Sequence, residues 1–365
     1  MHPTRRKNID FSTVLISKGK SEMKKSLFAV FFLGLLLTTS YSQTVIGKYG
    51  GEFLSIGAGG RASAMGGANV AIVNDVTAGY WNPAGLARMN YPQISLMHEE
   101  HFGNLVNYNY GAVAIPYGSD MSFGLSVIRL SVDGIPDTRN ALYDANGDGI
   151  LDIHTDRLDY SKITEFNNTD WAFYLTFAKR HSEDFYWGAN VKIIKRDIAE
   201  ASAFGIGFDI GAYYMASENL HLGATIQDVT TTLEAWSTGR NELISPTAKI
   251  GAAYAISALG GTILPALDLD MRFENRKTAS MFNVGPVSFD AHAGLEYKFK
   301  NLFAIRAGYS DVKQFTVGAG LFLPKLQIDY SFAQFSQSET ERLPDTHRIS
   351  IMLTLEEPKF LREGL

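Results

Sequence analysis

Apolar and polar positions alternate with a period of two along most of the chain after Pro92. In Gly285–Phe299 one set reads Val287, Phe289, Ala291, Ala293, Leu295, Tyr297 and Phe299. The other reads Ser288, Asp290, His292, Gly294, Glu296 and Lys298. Successive side chains of a strand point to opposite faces, so such a run has one apolar and one charged face. Ala266–Phe273 repeats the pattern, with Leu267, Leu269, Met271 and Phe273 against Asp268, Asp270 and Arg272, and so does Arg348–Leu355. Many runs extend over about 10–14 residues, beyond the 5–6 usual in soluble sheets and near the 9–11 that cross hydrocarbon at a tilt.

Fourteen such runs begin near Pro92, Asn107, Asp120, Asn168, Phe185, Ala203, Asn219, Ser245, Thr262, Pro286, Asn301, Gln314, Lys325 and His347. Connections after even-numbered runs are all short, and the long ones, at Asp133–Asn167, Val229–Ile244, Glu274–Gly285 and Phe335–Thr346, all follow odd-numbered runs. Outer-membrane barrels have short periplasmic turns and longer external loops. No unpaired edge can face lipid, so strands that cross it must close. The pattern predicts an all-β, 14-stranded antiparallel transmembrane barrel over 92–355, with both termini in the periplasm.

Composition agrees. There are 34 glycines, 12% aromatic residues and no cysteine, and the net charge of −5 gives no reason to expect nucleic acid. Lys24 and Lys25, the apolar core Leu27–Leu37 and the small-x-small cleavage site Ser40-Tyr41-Ser42 form a secretory signal over 23–42. That core is too short to span a bilayer, which needs roughly 20 residues. Residues 1–22 read as an upstream extension from a misassigned start, and 356–365 as a periplasmic tail. The expected location is the outer membrane of a diderm bacterium.

Residues 43–91 precede the first strand. Within them, Gly57–Leu86 is too rich in Gly and Ala for a lipid-facing strand and suits a compact plug, or hatch, that enters the barrel from the periplasmic side. Phe53–Ala62 mimics a strand followed by GxGxxA, but no βαβ unit follows to place a dinucleotide. The stretch "GRASAMGGANVAIVNDVTAGYWNPAGLARM" resembles the N-terminal hatch of the PorV/PorQ family, within the wider FadL-like group of fourteen-stranded outer-membrane proteins. The resemblance implies that Asp75, Asn82, Pro83 and Ala84 form the hatch motif. It implies two functions. PorV-type barrels take up the C-terminal signal domain of exported cargo in type IX secretion, whereas FadL-like barrels pass hydrophobic small molecules such as fatty acids or hydrocarbons.

The alternation turns Lys192, Lys249, Asp268, Asp270, Arg272, Asp290, His292, Glu296, Arg306, Asp329 and Arg348 into the lumen. Pairing across a small interior accounts for such groups. A charge-lined lumen suits a long apolar ligand poorly, unless the ligand leaves sideways above it, so cargo proteins or other secretion components are the first expectation for partners and a hydrophobic small molecule the second.

The longest external loop contains Asp144-Ala-Asn-Gly-Asp-Gly-Ile-Leu-Asp152. Asp144, Asn146 and Asp148 fall at positions 1, 3 and 5 of an EF-hand loop, Gly149 at 6, the Ile150 carbonyl at 7 and Asp152 at 9. Position 12 is Thr155, with Asp156 one place late. Weak calcium binding that stiffens the loop is expected, against the plainer reading of an acidic turn cluster. Catalysis is not expected: the histidines of His98–His101 point to opposite faces of a strand, and neither HExxH nor GxSxG is present. Trp171, Trp187, Tyr213 and Tyr214 read as girdle or wall residues.

Overall fold

The computed structural model describes residues 51–101, 105–273, 280–311, 313–335 and 345–363. The upstream extension, the signal peptide, residues 43–50 and parts of the external loops and tail lie outside the described residues. Fourteen strands form a closed antiparallel barrel: β1 Gln93–His101, β2 Val106–Tyr117, β3 Met121–Asp137, β4 Thr164–Arg180, β5 Phe185–Ile198, β6 Ala201–Met215, β7 Leu220–Gln227, β8 Thr247–Tyr254, β9 Gly261–Arg272, β10 Val287–Phe299, β11 Phe303–Tyr309, β12 Gln314–Leu323, β13 Leu326–Phe335 and β14 Thr346–Thr354. Closure is made by β1, in which Gln93 stands opposite both Ala114 of β2 and Thr354 of β14. Each strand pairs with its sequence neighbours, and the short turns all lie at one end. A hairpin of Thr232–Trp236 and Asn241–Ile244 rises from the long connection after β7, and its first arm pairs with the upper part of β6.

The two faces differ as the alternation requires. Outward residues such as Leu96, Leu125, Leu175, Phe204, Ile206, Leu267, Ile305 and Ile351 are exposed. A continuous apolar outer wall of this extent is a lipid-facing surface. Among the described residues no helix is long and apolar enough to cross a membrane, so the strands do the crossing.

The interior holds residues 51–91. Two short helices, α1 Gly60–Ala64 and α2 Ala78–Trp81, and the 3-10 turns Glu52–Ser55 and Pro83–Arg88 are joined by loops. Phe53, Tyr80, Trp81, Leu86 and Met89 pack with the inward Tyr108, Tyr110, Ile128, Tyr174 and Ile194 in one apolar core. The segment begins near the long-loop end, where Phe53 lies under Arg196 (5.8 Å), and descends to Met89 at the short-turn end.

Small residues permit this filling. Gly66 has φ +65°, and a Cβ there would lie 2.5 Å from the Tyr309 backbone nitrogen. On the wall, a Cβ at Gly188 would stand 2.6 Å from the Pro83 carbonyl carbon. The glycine–alanine run therefore meets a wall whose own inward positions are often glycine.

Candidate functional site

The Asn82-Pro83-Ala84 turn ties the interior segment to itself and to the wall. Asn82 Nδ2 donates to the Val70 carbonyl (3.0 Å) and to the Ala212 carbonyl of β6 (2.9 Å), while its Oδ1 accepts from the Ala84 amide (3.2 Å). Pro83 opens the following turn, where its missing N–H costs nothing. Asp75 Oδ1 accepts from both the amide (2.8 Å) and the hydroxyl (2.6 Å) of Thr77, fixing the entry to α2. The Trp81 indole donates to the Ala58 carbonyl (2.7 Å).

The inward charges divide into two kinds. Some grip the segment. Arg61 of α1 makes a two-pronged contact with Glu296 (2.9 Å each), which Arg306 also approaches (2.6 Å). Asp268 accepts the amides of Asn69 (2.6 Å) and Val70 (2.8 Å), and His292 Nδ1 meets the Gly66 carbonyl (2.8 Å). Arg348 donates to the Ile56 carbonyl (3.1 Å) and pairs with Glu99. The others pair along the wall: Lys192 with Asp209 (3.3 Å) and Asp228 (2.7 Å), Lys249 with Asp270 (2.6 Å), Arg272 with Asp290 (3.5 Å), and Arg306 with Asp329 (2.7 Å). Lys249 is half-buried and the rest are buried.

Several interior charges escaped the sequence reading. Glu99, Asp170, Asp209 and Glu234 are buried, and Arg196 joins Asp170 (2.9 Å) to Glu234 (3.1 Å) near the long-loop end. Parity alone could have found Glu99, Asp170 and Asp209. Nothing in the sequence marks Arg362 of the tail, which folds under the barrel. Its guanidinium donates to the carbonyls of Met89 (2.9 Å) and Met121 (2.8 Å) and to the Ser122 hydroxyl (2.6 Å).

Two cavities flank the segment. The one toward the long loops is about 220 Å³ and is lined by Ile56, Trp81, Ala333, His292, Arg348 and Glu99, among others. The one at the short-turn end is about 510 Å³, with Arg61, Arg88, Lys298 and Lys325 at its walls. The upper cavity reaches a seam. Strand β10 pairs with β11 only from Ala293 to Phe299 and continues upward without it. Phe282–Val284 covers the top of that edge. Between them, the Ala291 amide donates to the Met281 thioether (3.3 Å). His292 borders both the upper cavity and an apolar groove on the outer wall that Met281 and Tyr309 also line.

Trp187 and Tyr214 are outward and exposed, and Trp171 is outward and partly exposed, whereas Tyr213 is buried inside, with its hydroxyl 2.6 Å from His221 Nδ1. In the external loop, Asp144 accepts the amides of Gly147 (2.6 Å) and Gly149 (2.8 Å), Asn146 that of Asp148 (2.9 Å), and Asp148 that of Ile150 (2.8 Å). The Gly149 amide above all holds the Asp144 carboxyl below the usual carboxylate range. Asp152 turns instead to the His154 amide (2.9 Å). Among the described residues no three acidic or histidine side chains converge as a metal cage. The donor set fits the first half of a calcium loop and lacks the carboxylate at position 12.

No protein-family model and no curated protein matches this chain. Solved structures do. The toluene transporter TbuX of Ralstonia pickettii aligns with a TM-score of 0.55 at 12% identity, over 82% of this chain and 98% of that one. The toluene transporter TodX of P. putida aligns with a TM-score of 0.55 at 14% identity, over 82% of this chain and 97% of that one. At such identities the likeness is one of fold. It spans nearly the whole of both transporters.

Proposed function

We propose that this barrel admits a small hydrophobic molecule across the outer membrane, with residues 51–89 as its hatch. The observation that carries the reading is the upper cavity and its contact with the seam. An engineered apolar cavity of about 150 Å³ binds benzene, so about 220 Å³ beside Trp81 and Ile56 has room for a single-ring or short-chain guest. From there the guest meets the β10–β11 seam at His292, where, among the described residues, Met281 rather than a strand lies against the free edge of β10. A sideways route of this kind bypasses the ion pairs beneath it. The fold shared with two toluene transporters supports the same class of cargo.

The rival reading, PorV/PorQ-type capture of exported proteins in type IX secretion, rests on the hatch resemblance and on the charge-lined lumen. The structural neighbours favour transport over it. Calcium binding by Asp144, Asn146, Asp148, the Ile150 carbonyl and Asp152 is a separate proposal, carried by the acidic spacing of that loop.

Mass spectrometry of the protein gently extracted from its own membranes tests the main reading. A stoichiometric hydrocarbon or fatty acid without protein partners is expected. Exported proteins sharing a C-terminal domain, with no small molecule, would overturn it.

A further inference from the structure

The outer wall changes character along one line that crosses five neighbouring strands. Going toward the long loops, the outward residues pass from Leu96 to His98 on β1, from Gly111 to Asn109 on β2, and from Val127 to Arg129 on β3. They pass from Phe173 to Trp171 on β4 and from Ile193 to Lys195 on β5. His98, Asn109, Arg129, Trp171 and Lys195 stand opposite one another in register. Trp187, at the other end of the apolar stretch of β5, is eight residues away from Lys195. That is about 27 Å along a strand, or roughly 20 Å along the membrane normal at a tilt near 40°, close to the height of an apolar band. The polar row marks the hydrocarbon edge on the long-loop side.

A groove of about 570 Å³ crosses this line. Below it the groove is apolar, walled by Leu96, Val127 and Ile351, while Ile349 of β14 stands level with His98. Gly111 leaves the gap between them, since its outward position carries no side chain. Above, the groove is headed by His98, Asn109, Arg129 and Trp171. The Arg129 guanidinium lies 5.6 Å from the Trp171 ring, and no carboxylate among the described residues pairs with it. The other charges in the row have partners: Lys195 meets Asp197 (3.1 Å), and His98 meets Asn109 (2.8 Å) and Glu100 (3.4 Å).

We infer that this groove is a binding site for a phosphate-bearing lipid of the outer leaflet. A guanidinium cannot shed its proton, and at the edge of hydrocarbon it draws an anion to itself. Phosphate oxygens match its planar fork, and Asn109 adds an amide donor beside it. The chain attached to that headgroup lies over Gly111. Both halves of one amphiphile are therefore recognised, the head by Arg129 and the tail by the gap at 111. The inference is independent of what passes through the lumen.

The full-length barrel in detergent, titrated by native mass spectrometry, tests it. The probes are phosphatidylglycerol, a galactosyl diacylglycerol with the same chains, and inorganic phosphate. One tight equivalent of phosphatidylglycerol is expected, bound at least tenfold better than the galactolipid and not displaced by millimolar phosphate. Arg129→Gln should remove the preference for phosphatidylglycerol. Gly111→Leu should weaken both lipids, and a Cβ at 111 meets only ordinary contacts at 3.5 and 3.6 Å, so the barrel tolerates it. Equal binding of the two lipids by the unaltered protein, or an unchanged preference in Arg129→Gln, overturns the proposal. Displacement by inorganic phosphate overturns it too, leaving only a free-anion site.

Discussion

Glu296 is the point at which one substitution should unseat the interior segment. Its carboxylate stands between the Arg61 guanidinium of the segment (2.9 Å to each oxygen) and the Arg306 guanidinium of the wall (2.6 Å). Glu296→Gln keeps the shape and removes the charge. Breaking a buried pair by deleting one partner costs about 3–5 kcal/mol, because the remaining charge is left uncompensated. Arg306 keeps Asp329 (2.7 Å), so the loss falls on Arg61, and the lower figure of about 3 kcal/mol applies. At about 1.4 kcal/mol per decade, the equilibrium between seated and released segment should shift by roughly a hundredfold. Planar-bilayer recording reads this directly as open probability, with the heat-shifted electrophoretic mobility of the folded barrel as control. Adding Arg61→Gln removes the stranded charge and should recover part of the loss. An open probability in Glu296→Gln within threefold of the unaltered protein, on a folded barrel, would refute the claim that ion pairing seats the segment.

Four further outcomes follow from named contacts. Arg362→Ala removes three guanidinium hydrogen bonds at the base, each worth about 1.5–3 kcal/mol to a charged donor, so amide exchange around Met89–Asn90 should accelerate at least tenfold; unchanged exchange would show that the tail is ornamental. Gly66→Val places a side chain at φ +65° against the Tyr309 backbone, at a cost of about 2–4 kcal/mol. Gly118→Val, at φ +60° in open space, bears the backbone strain alone, so the two thermal midpoints should differ clearly. In the external loop, Asp144→Ala or calcium removal should raise protease sensitivity across 133–167, and equal digestion with and without calcium sinks the metal. Because amides lower the Asp144 pKa, the order that its carboxylate confers is present above the unfolded value of about 3.9 and is lost as pH falls through the depressed folded value. Exchange at Gly147 and Gly149, corrected for intrinsic rates, should therefore stay slow to about pH 4 and rise below it.

How much of this was legible in the chain depends on the range of the interactions. Alternation is local, so the strands stand within a few residues of their expected starts: Val287 against Pro286, Gln314 at Gln314, Thr346 against His347. Closure follows from the lipid-facing side alone. Partnership is not local. Asp268 and Asp270 sit on one strand and one face, yet the first binds segment amides and the second binds Lys249. The inner face of β6 reads as glycine, Gly205, Gly207 and Gly211, which hid Asp209 among them. The seam beside His292 was beyond reach, because it arises from unequal lengths of β10 and β11. The lipid row was visible strand by strand but needed the register to become a row.

The charged lumen first argued against an apolar cargo. Its partners reverse that argument. Arg61, Glu296, Arg306 and Asp329 neutralise one another, as do Lys249 and Asp270, so the lumen carries no continuous chain of free charges. Those that touch the segment hold its backbone and the Arg61 side chain in place. A plug held only by apolar packing would lose little in an apolar guest, since the guest could replace the same contacts. Ion pairs offer such a guest nothing to exchange. Under the proposed function, they would keep the segment seated while a hydrophobic molecule occupied the cavity beside Trp81, leaving the wall at Met281 as the path of least resistance. On this view the lumen is charged so that the barrel stays closed to ions and water even as it admits something that is neither.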